Sequence, residues 1–162
     1  MTIPRKDLLK DLIRTKSDGT LFHREKQNLE FKQNFQFKSL AKYLKTIAAF
    51  SNNQGGVILF GVSDSPRKPI GMSNDQFNNI DSEKITEYLN KYFSPEILWE
   101  MEEHEIDGKK FGMFIVSEAI DKPVICKVSI DIIIEGEIYY RYRGRSERIK
   151  YPGIQKIFQE RE

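Results

Sequence analysis

Three carboxylates and one lysine flank a single stretch of this chain in a pattern suited to phosphodiester chemistry. Glu25 precedes Glu30-Phe31-Lys32, and Asp64 closes the run Asn52-Asn53-Gln54-Gly55-Gly56-Val57-Ile58-Leu59-Phe60-Gly61-Val62-Ser63-Asp64. Carboxylate oxygens are hard ligands for Mg²⁺ or Mn²⁺, and such an ion can generate an attacking hydroxide and stabilise charge on a leaving oxygen. A lysine at position 32 can neutralise the phosphate or position water. The pattern is short, however, and Glu-x-Lys on a strand is also the signature of an exposed salt-bridged pair with no chemistry. Spacing alone leaves both readings open.

The elements that must position these groups are legible in the apolar spacing. Leu29 and Phe31 alternate with Glu30 and Lys32, which predicts a strand with Glu30 and Lys32 on one face. Glu25 lies an odd number of residues before Glu30, so the two carboxylates meet only if a bend or bulge separates them. Phe37, Leu40, Ala41, Leu44, Ile47 and Ala48 form a helical stripe, with Lys38, Lys42 and Lys45 on the other faces. Val57 to Val62 is an apolar run of strand length, expected at the centre of a sheet, and Asp64 sits where it emerges. The Asn52 to Gly56 turn between helix and strand lacks the Gly-Lys-Ser/Thr ending of a phosphate loop. It reads as a tight connection holding the neighbouring site, with a backbone contact to a ligand as the lesser alternative.

Elsewhere, Leu8, Leu9, Leu12 and Ile13 predict a helix over Lys6 to Thr15, broken by Asp18-Gly19. A helix over Ser82 to Phe93, capped by Ser82 and stopped by Pro95, precedes a hairpin of Ile97 to Ile106 and Lys110 to Val116 turning at Asp107-Gly108. Glu100, Glu102, Glu103 and Glu105 read as the solvated face of an outer strand. Further strands are expected at Val124 to Val128, Ile130 to Ile134 and Gly136 to Tyr142, and a helix from Pro152. Around the last strand, Tyr139-Tyr140-Arg141-Tyr142-Arg143-Gly144-Arg145 interleaves aromatic and basic residues. Arg141, Arg143 and Arg145 can track a nucleic-acid backbone, or the segment can be a solvated strand with tyrosines in the core. The order of elements predicts a single α+β domain, a mixed central sheet with flanking helices.

Composition narrows the class without choosing a partner. With 162 residues, 39% hydrophobic, the chain can bury one core, and a net charge of +2 is too balanced to name a ligand. The single Cys126 excludes an internal disulfide and, with two histidines, a zinc site. No signal peptide and no membrane-spanning run is evident, so a cytoplasmic protein with no membrane partner is expected. The chain stops inside a helical pattern, which raises the expectation of a further region after it.

Together, Glu25, Glu30-Phe31-Lys32, the helix, the Gly55-Gly56 strand with its Phe60-Gly61-Val62 ending and the later Tyr-Tyr-Arg strand resemble the Schlafen AlbA-type (AlbA-2) domain family. The resemblance divides the chain into a helical segment at 1–19, the AlbA-type domain at 20–151 and the start of a terminal helix at 152–162. It implies nucleic-acid binding and, by likeness to Schlafen endoribonucleases, Mg²⁺- or Mn²⁺-dependent cleavage of structured RNA such as tRNA or rRNA. Glu25, Glu30 and Asp64 would then be metal ligands, and Lys32 would face the scissile phosphate. RNA is favoured over DNA as the partner. Because the Schlafen nuclease core has two lobes and this chain one, a homodimer would complete the groove. The alternative is a non-catalytic DNA- or RNA-binding regulatory module whose carboxylates are structural; a nucleotide-binding domain is a third.

Overall fold

The computed structural model describes residues 4–162 and shows one α+β domain around a mixed four-stranded sheet. The sheet is built on a β-α-β unit: β1 (Leu29–Lys32), helix α1 (Leu40–Asn52, entered through a 3₁₀ turn at Phe37–Ser39) and β2 (Gly56–Phe60). β1 and β2 pair in parallel, Glu30 opposite Ile58 and Lys32 opposite Phe60. The hairpin β3 (Trp99–Ile106) and β4 (Lys109–Val116) adds two antiparallel strands, giving the order β1-β2-β4-β3. Its turn is Asp107-Gly108, both at positive φ (51° and 75°), as a two-residue hairpin requires.

Alternation along β2 feeds a separate core on each side of the sheet. Ile58 and Phe60 face α1, where Phe35, Tyr43, Phe77 and Phe114 gather around Phe60, with the Phe60 and Phe114 rings 5.0 Å apart. Leu59, with Leu29, Phe31, Phe111 and Met113, faces an N-terminal helix (Arg5–Leu12) that contributes Leu9 and Leu12. A side chain on β1 that does not face the N-terminal helix must therefore face α1. That is the position of Glu30, and it explains why a carboxylate is buried there.

Several elements differ from their sequence-based bounds. The helix Ser82–Tyr92 is capped by Asp81, whose carboxylate accepts from the Glu83 amide, so Ser82 is its first residue and not its cap. Of the strands expected at Val124 to Val128 and Gly136 to Tyr142, only Ile125–Cys126 and Tyr139–Tyr142 pair. Ile130 to Ile134 is not a strand: Ile130 and Ile133 bond to each other across a turn whose Asp131 sits at φ 54°. The β-branched run is real, but among the described residues no strand pairs with it. Tyr139–Tyr142 instead forms a hairpin with Arg145–Arg148, turning at Arg143-Gly144, and this hairpin packs along α1. A last helix, Tyr151–Glu160, closes the fold.

The Asn52 to Gly56 connection is filled from within. Asn52 donates to the carbonyls of Val124 and Tyr139, both at 2.9 Å, and accepts from the Val124 amide at 2.7 Å. Gly55 lies at φ 76° with room for no side chain, since a Cβ there would stand 2.6 Å from the Val116 carbonyl oxygen. At Gly56 a Cβ would meet the Phe50 ring at 2.7 Å. The two glycines thus serve close packing of helix, strand and hairpin.

Candidate nucleic-acid interface

Glu30 and Arg141 form the most enclosed polar feature near the candidate residues. Arg141 is completely buried, and its Nη1 donates to Glu30 Oε1 at 2.9 Å. Three further donors of the guanidinium go to the Leu29 and Lys26 carbonyls and to Ser146 Oγ. Glu30 Oε2 accepts from Thr46 Oγ1 at 3.3 Å, and Ser146 bonds Thr46 in turn, so helix, strand and hairpin share one network. The Arg141 side chain also lies over the Phe50 ring, 4.9 Å from its centroid. Burying a charge is costly unless it is paired and hydrogen-bonded, and Arg141 is paired with Glu30 and bonds through all three of its nitrogens. The expectation that Arg141 holds a nucleic-acid backbone is therefore corrected: its guanidinium has no exposed surface, and each of its three nitrogens bonds within the protein.

The other candidates reach the surface. The Lys32 carbonyl accepts from both the Gly61 and Val62 amides, which ties the ends of β1 and β2 together and carries Asp64 out beside Lys32. Ser63 closes the following turn, its Oγ donating to the Pro66 carbonyl and accepting from the Lys68 amide. The Leu21 amide bonds the Arg67 carbonyl and holds the approach to Glu25 against this turn. The bend that Glu25 required is present, because Lys26 and Leu29 bond each other's backbone around Gln27-Asn28. The result is an open cleft of about 290 Å³ lined by Glu25, Phe31, Lys32, Gln33, Val62, Ser63, Asp64 and Arg67.

Glu25 stands at the mouth of this cleft with a pKa above the ordinary carboxylate range. Partial burial is the main cause, the nearby Glu30 charge adds to it, and Arg141, Lys32 and Arg67 oppose it. A raised folded-state pKa means the native protein holds a proton that the unfolded chain has lost. Stability from this group is full below the unfolded carboxylate pKa and declines as pH rises through the folded value. Glu25→Gln should therefore melt with the wild type in acid and above it at neutral pH. Thermal melts across the acidic range would show this, and a gap that widens towards low pH would contradict it.

Glu25, Glu30 and Asp64 do not converge as a metal cage. Among the described residues no group of three or more His, Cys, Asp or Glu side chains is placed to hold a metal ion. Glu25 and Asp64 share the cleft, whereas Glu30 turns its oxygens to Arg141 and Thr46. Lys32 Nζ is 3.8 Å from Glu30 Oε2, too long for a tight pair, and its side chain remains about one-third exposed (36%).

Arg143 and Arg145 are exposed at the tip of the basic hairpin. Gly144 between them presses on the chain at Glu25; a Cβ there would stand 3.2 Å from Glu25 Cβ. The tip thus overhangs the mouth of the cleft. Sequence reasoning missed Arg67, which no periodicity marks, and Thr46 and Ser146, the hydroxyls that complete the buried network. A lone threonine on the buried side of an otherwise apolar helix was the available signal for Thr46.

A family model described as Schlafen, AlbA_2 matches residues 25–150, a span that begins at the cleft carboxylate and ends just past the hairpin. The chain belongs to the Schlafen AlbA_2 family. An uncharacterized ATP-binding protein of Ureaplasma parvum serovar 3 is 43% identical to the AlbA_2 chain over 155 residues, covering 86% of the chain. The match spans only 44% of that relative's length. The crystal structure of the DIP2311 protein from Corynebacterium diphtheriae superposes with a TM-score of 0.59 at 13% identity. That match takes in 89% of the AlbA_2 chain and 29% of the other, and it shows a shared fold. Among the described residues no helix is long and apolar enough to cross a membrane.

Proposed function

We propose that this AlbA_2 domain binds nucleic acid, with structured RNA as the favoured substrate, across the cleft and the basic hairpin tip above it. The observation that carries this is the contact of Gly144, which stands between the exposed Arg143 and Arg145, with Glu25, a residue that lines the cleft together with Lys32 and Arg67. Cationic side chains at a phosphate backbone release counterions, so binding through them weakens linearly with the logarithm of salt concentration. In fluorescence anisotropy with labelled tRNA, Arg143→Ala/Arg145→Ala should bind more weakly and with a shallower salt slope than wild type. Unchanged affinity and slope would remove the hairpin from the interface, and no binding by the wild type would remove the reading altogether.

Cleavage of the bound strand with Mg²⁺ or Mn²⁺ is the second reading, favoured by Glu25 and Asp64 lining one cleft with Lys32. It needs a further donor, because Glu30 is engaged elsewhere. Incubation of tRNA with the protein in Mn²⁺, Mg²⁺ or EDTA, beside Asp64→Asn, separates the two. Discrete fragments that require metal and Asp64 support a nuclease, whereas a gel shift without fragments in any metal leaves a binding module.

A further inference from the structure

The cleft does not stop at Lys32. On the far side of Lys32 and Gln33 lies a second, larger polar groove of about 400 Å³, lined by Lys32, Gln33, Asn34, Gln36, Ser39, Lys42 and Tyr43. Its walls are fixed. Asn34 accepts from the Ser73 amide at 2.7 Å and donates to Ser73 Oγ at 3.0 Å, while the Tyr43 hydroxyl accepts from the Gln36 amide at 3.0 Å. Lys42 lies one helical turn before Thr46, which places it on the α1 face that looks toward β1, and it is exposed.

The two concavities differ in charge. The cleft sets Glu25 and Asp64 against Lys32 and Arg67, so its opposite charges balance. The groove has Lys32 and Lys42 and no carboxylate among its lining residues. Glu30, behind Lys32, directs an oxygen to Arg141 and stays 3.8 Å from the ammonium. A phosphodiester chain carries one negative charge per nucleotide, so a strand crossing the cleft gains further attraction when it continues past Lys32.

From this charge contrast we infer that the Lys32 to Lys42 groove is a phosphate-binding subsite, holding the backbone of the nucleotides that flank the cleft, with Lys42 as its outer contact. The inference rests on the nucleic-acid reading above and adds the direction in which the strand runs. Gln33, exposed at the junction, is placed to bond the sugar or base at the crossing point.

The test is anisotropy with fluorescein-labelled single-stranded RNA and DNA of one sequence, titrated over a range of salt. Lys42→Gln is compared with wild type, with Lys42→Arg and with Lys156→Gln, an exposed lysine on the last helix outside both concavities. Loss of one phosphate contact on a single strand should lower the slope of log affinity against log salt by about 0.7. We expect that loss in Lys42→Gln with both strands, recovery in Lys42→Arg and no change in Lys156→Gln. If Lys42→Gln follows the Lys156→Gln control while wild type binds, the subsite is overturned and the nucleic-acid reading stands. Dependence on Lys42 for only one of the two strands would mean a sugar or base contact and would overturn the backbone assignment. Failure of the wild type to bind either strand overturns the subsite, and the nucleic-acid reading falls with it only if labelled tRNA is also left unbound.

Discussion

Glu30→Ala should unfold far more readily than the wild type in urea, by about 3–5 kcal/mol, because it leaves the Arg141 guanidinium buried without its counter-charge. Arg141 has no exposed surface, so it cannot recover hydration by a small side-chain movement. It would keep the Leu29 and Lys26 carbonyls and Ser146 as acceptors, which satisfy hydrogen bonds but not charge. The double variant Glu30→Leu/Arg141→Met should recover much of the loss, since a packed apolar pair often replaces a buried ion pair at little net cost. Equal stability of Glu30→Ala and wild type would show that the pair is not closed in solution. The consequence for assays is direct: inactivity of a Glu30 variant says nothing about catalysis until its folding has been measured, whereas Asp64 is exposed and its substitution is the cleaner probe.

Asn52→Ala is expected to cost about 3 kcal/mol or more. The fully buried amide links the end of α1 to Val124 and Tyr139 side by side. Removing it strands one buried amide and two buried carbonyls, each worth roughly 1–3 kcal/mol when left unpaired, with incomplete additivity. Asn52→Asp keeps an acceptor for the Val124 amide but aims a carboxylate at two carbonyl oxygens, so at neutral pH it should be no better. Amide hydrogen exchange gives the local check, with Val124 losing protection in Asn52→Ala. Retained protection at Val124 would mean that another group supplies the bond.

The β-α-β unit was readable because each of its pieces is encoded locally. Leu29 and Phe31 alternate, the α1 stripe is regular, and Val57 to Val62 is apolar on both faces. The Asp107-Gly108 turn carried its own chemistry in the same way. What was not readable depends on partners distant in sequence. Arg141 stands with Tyr142, Arg143, Gly144 and Arg145 in one basic stretch, and nothing local distinguishes it from the other two arginines. The difference is Glu30, 111 positions earlier, and the hairpin that folds Arg141 onto it. Glu30 itself was assigned to the right face of its strand, but that face meets α1, not water. The isoleucines from 130 to 134 show the converse, a strand-like pattern for which the fold provides no strand to pair with.

The buried guanidinium also decides how this sheet can meet other chains. β1 is an outer strand, and such strands offer free backbone acceptors to any extended segment. Here Arg141 occupies the Leu29 carbonyl and the adjoining Lys26 carbonyl, standing where another strand would bond. The opposite border, β3, carries Glu100, Glu102, Glu103 and Glu105, so two copies approaching along it would repel. Arg141 thus takes one outward acceptor of the first border, and the acidic row disfavours pairing of two copies along the second. A second copy of this domain is thereby steered away from joining the sheet edge to edge and towards its loops, helices and clefts.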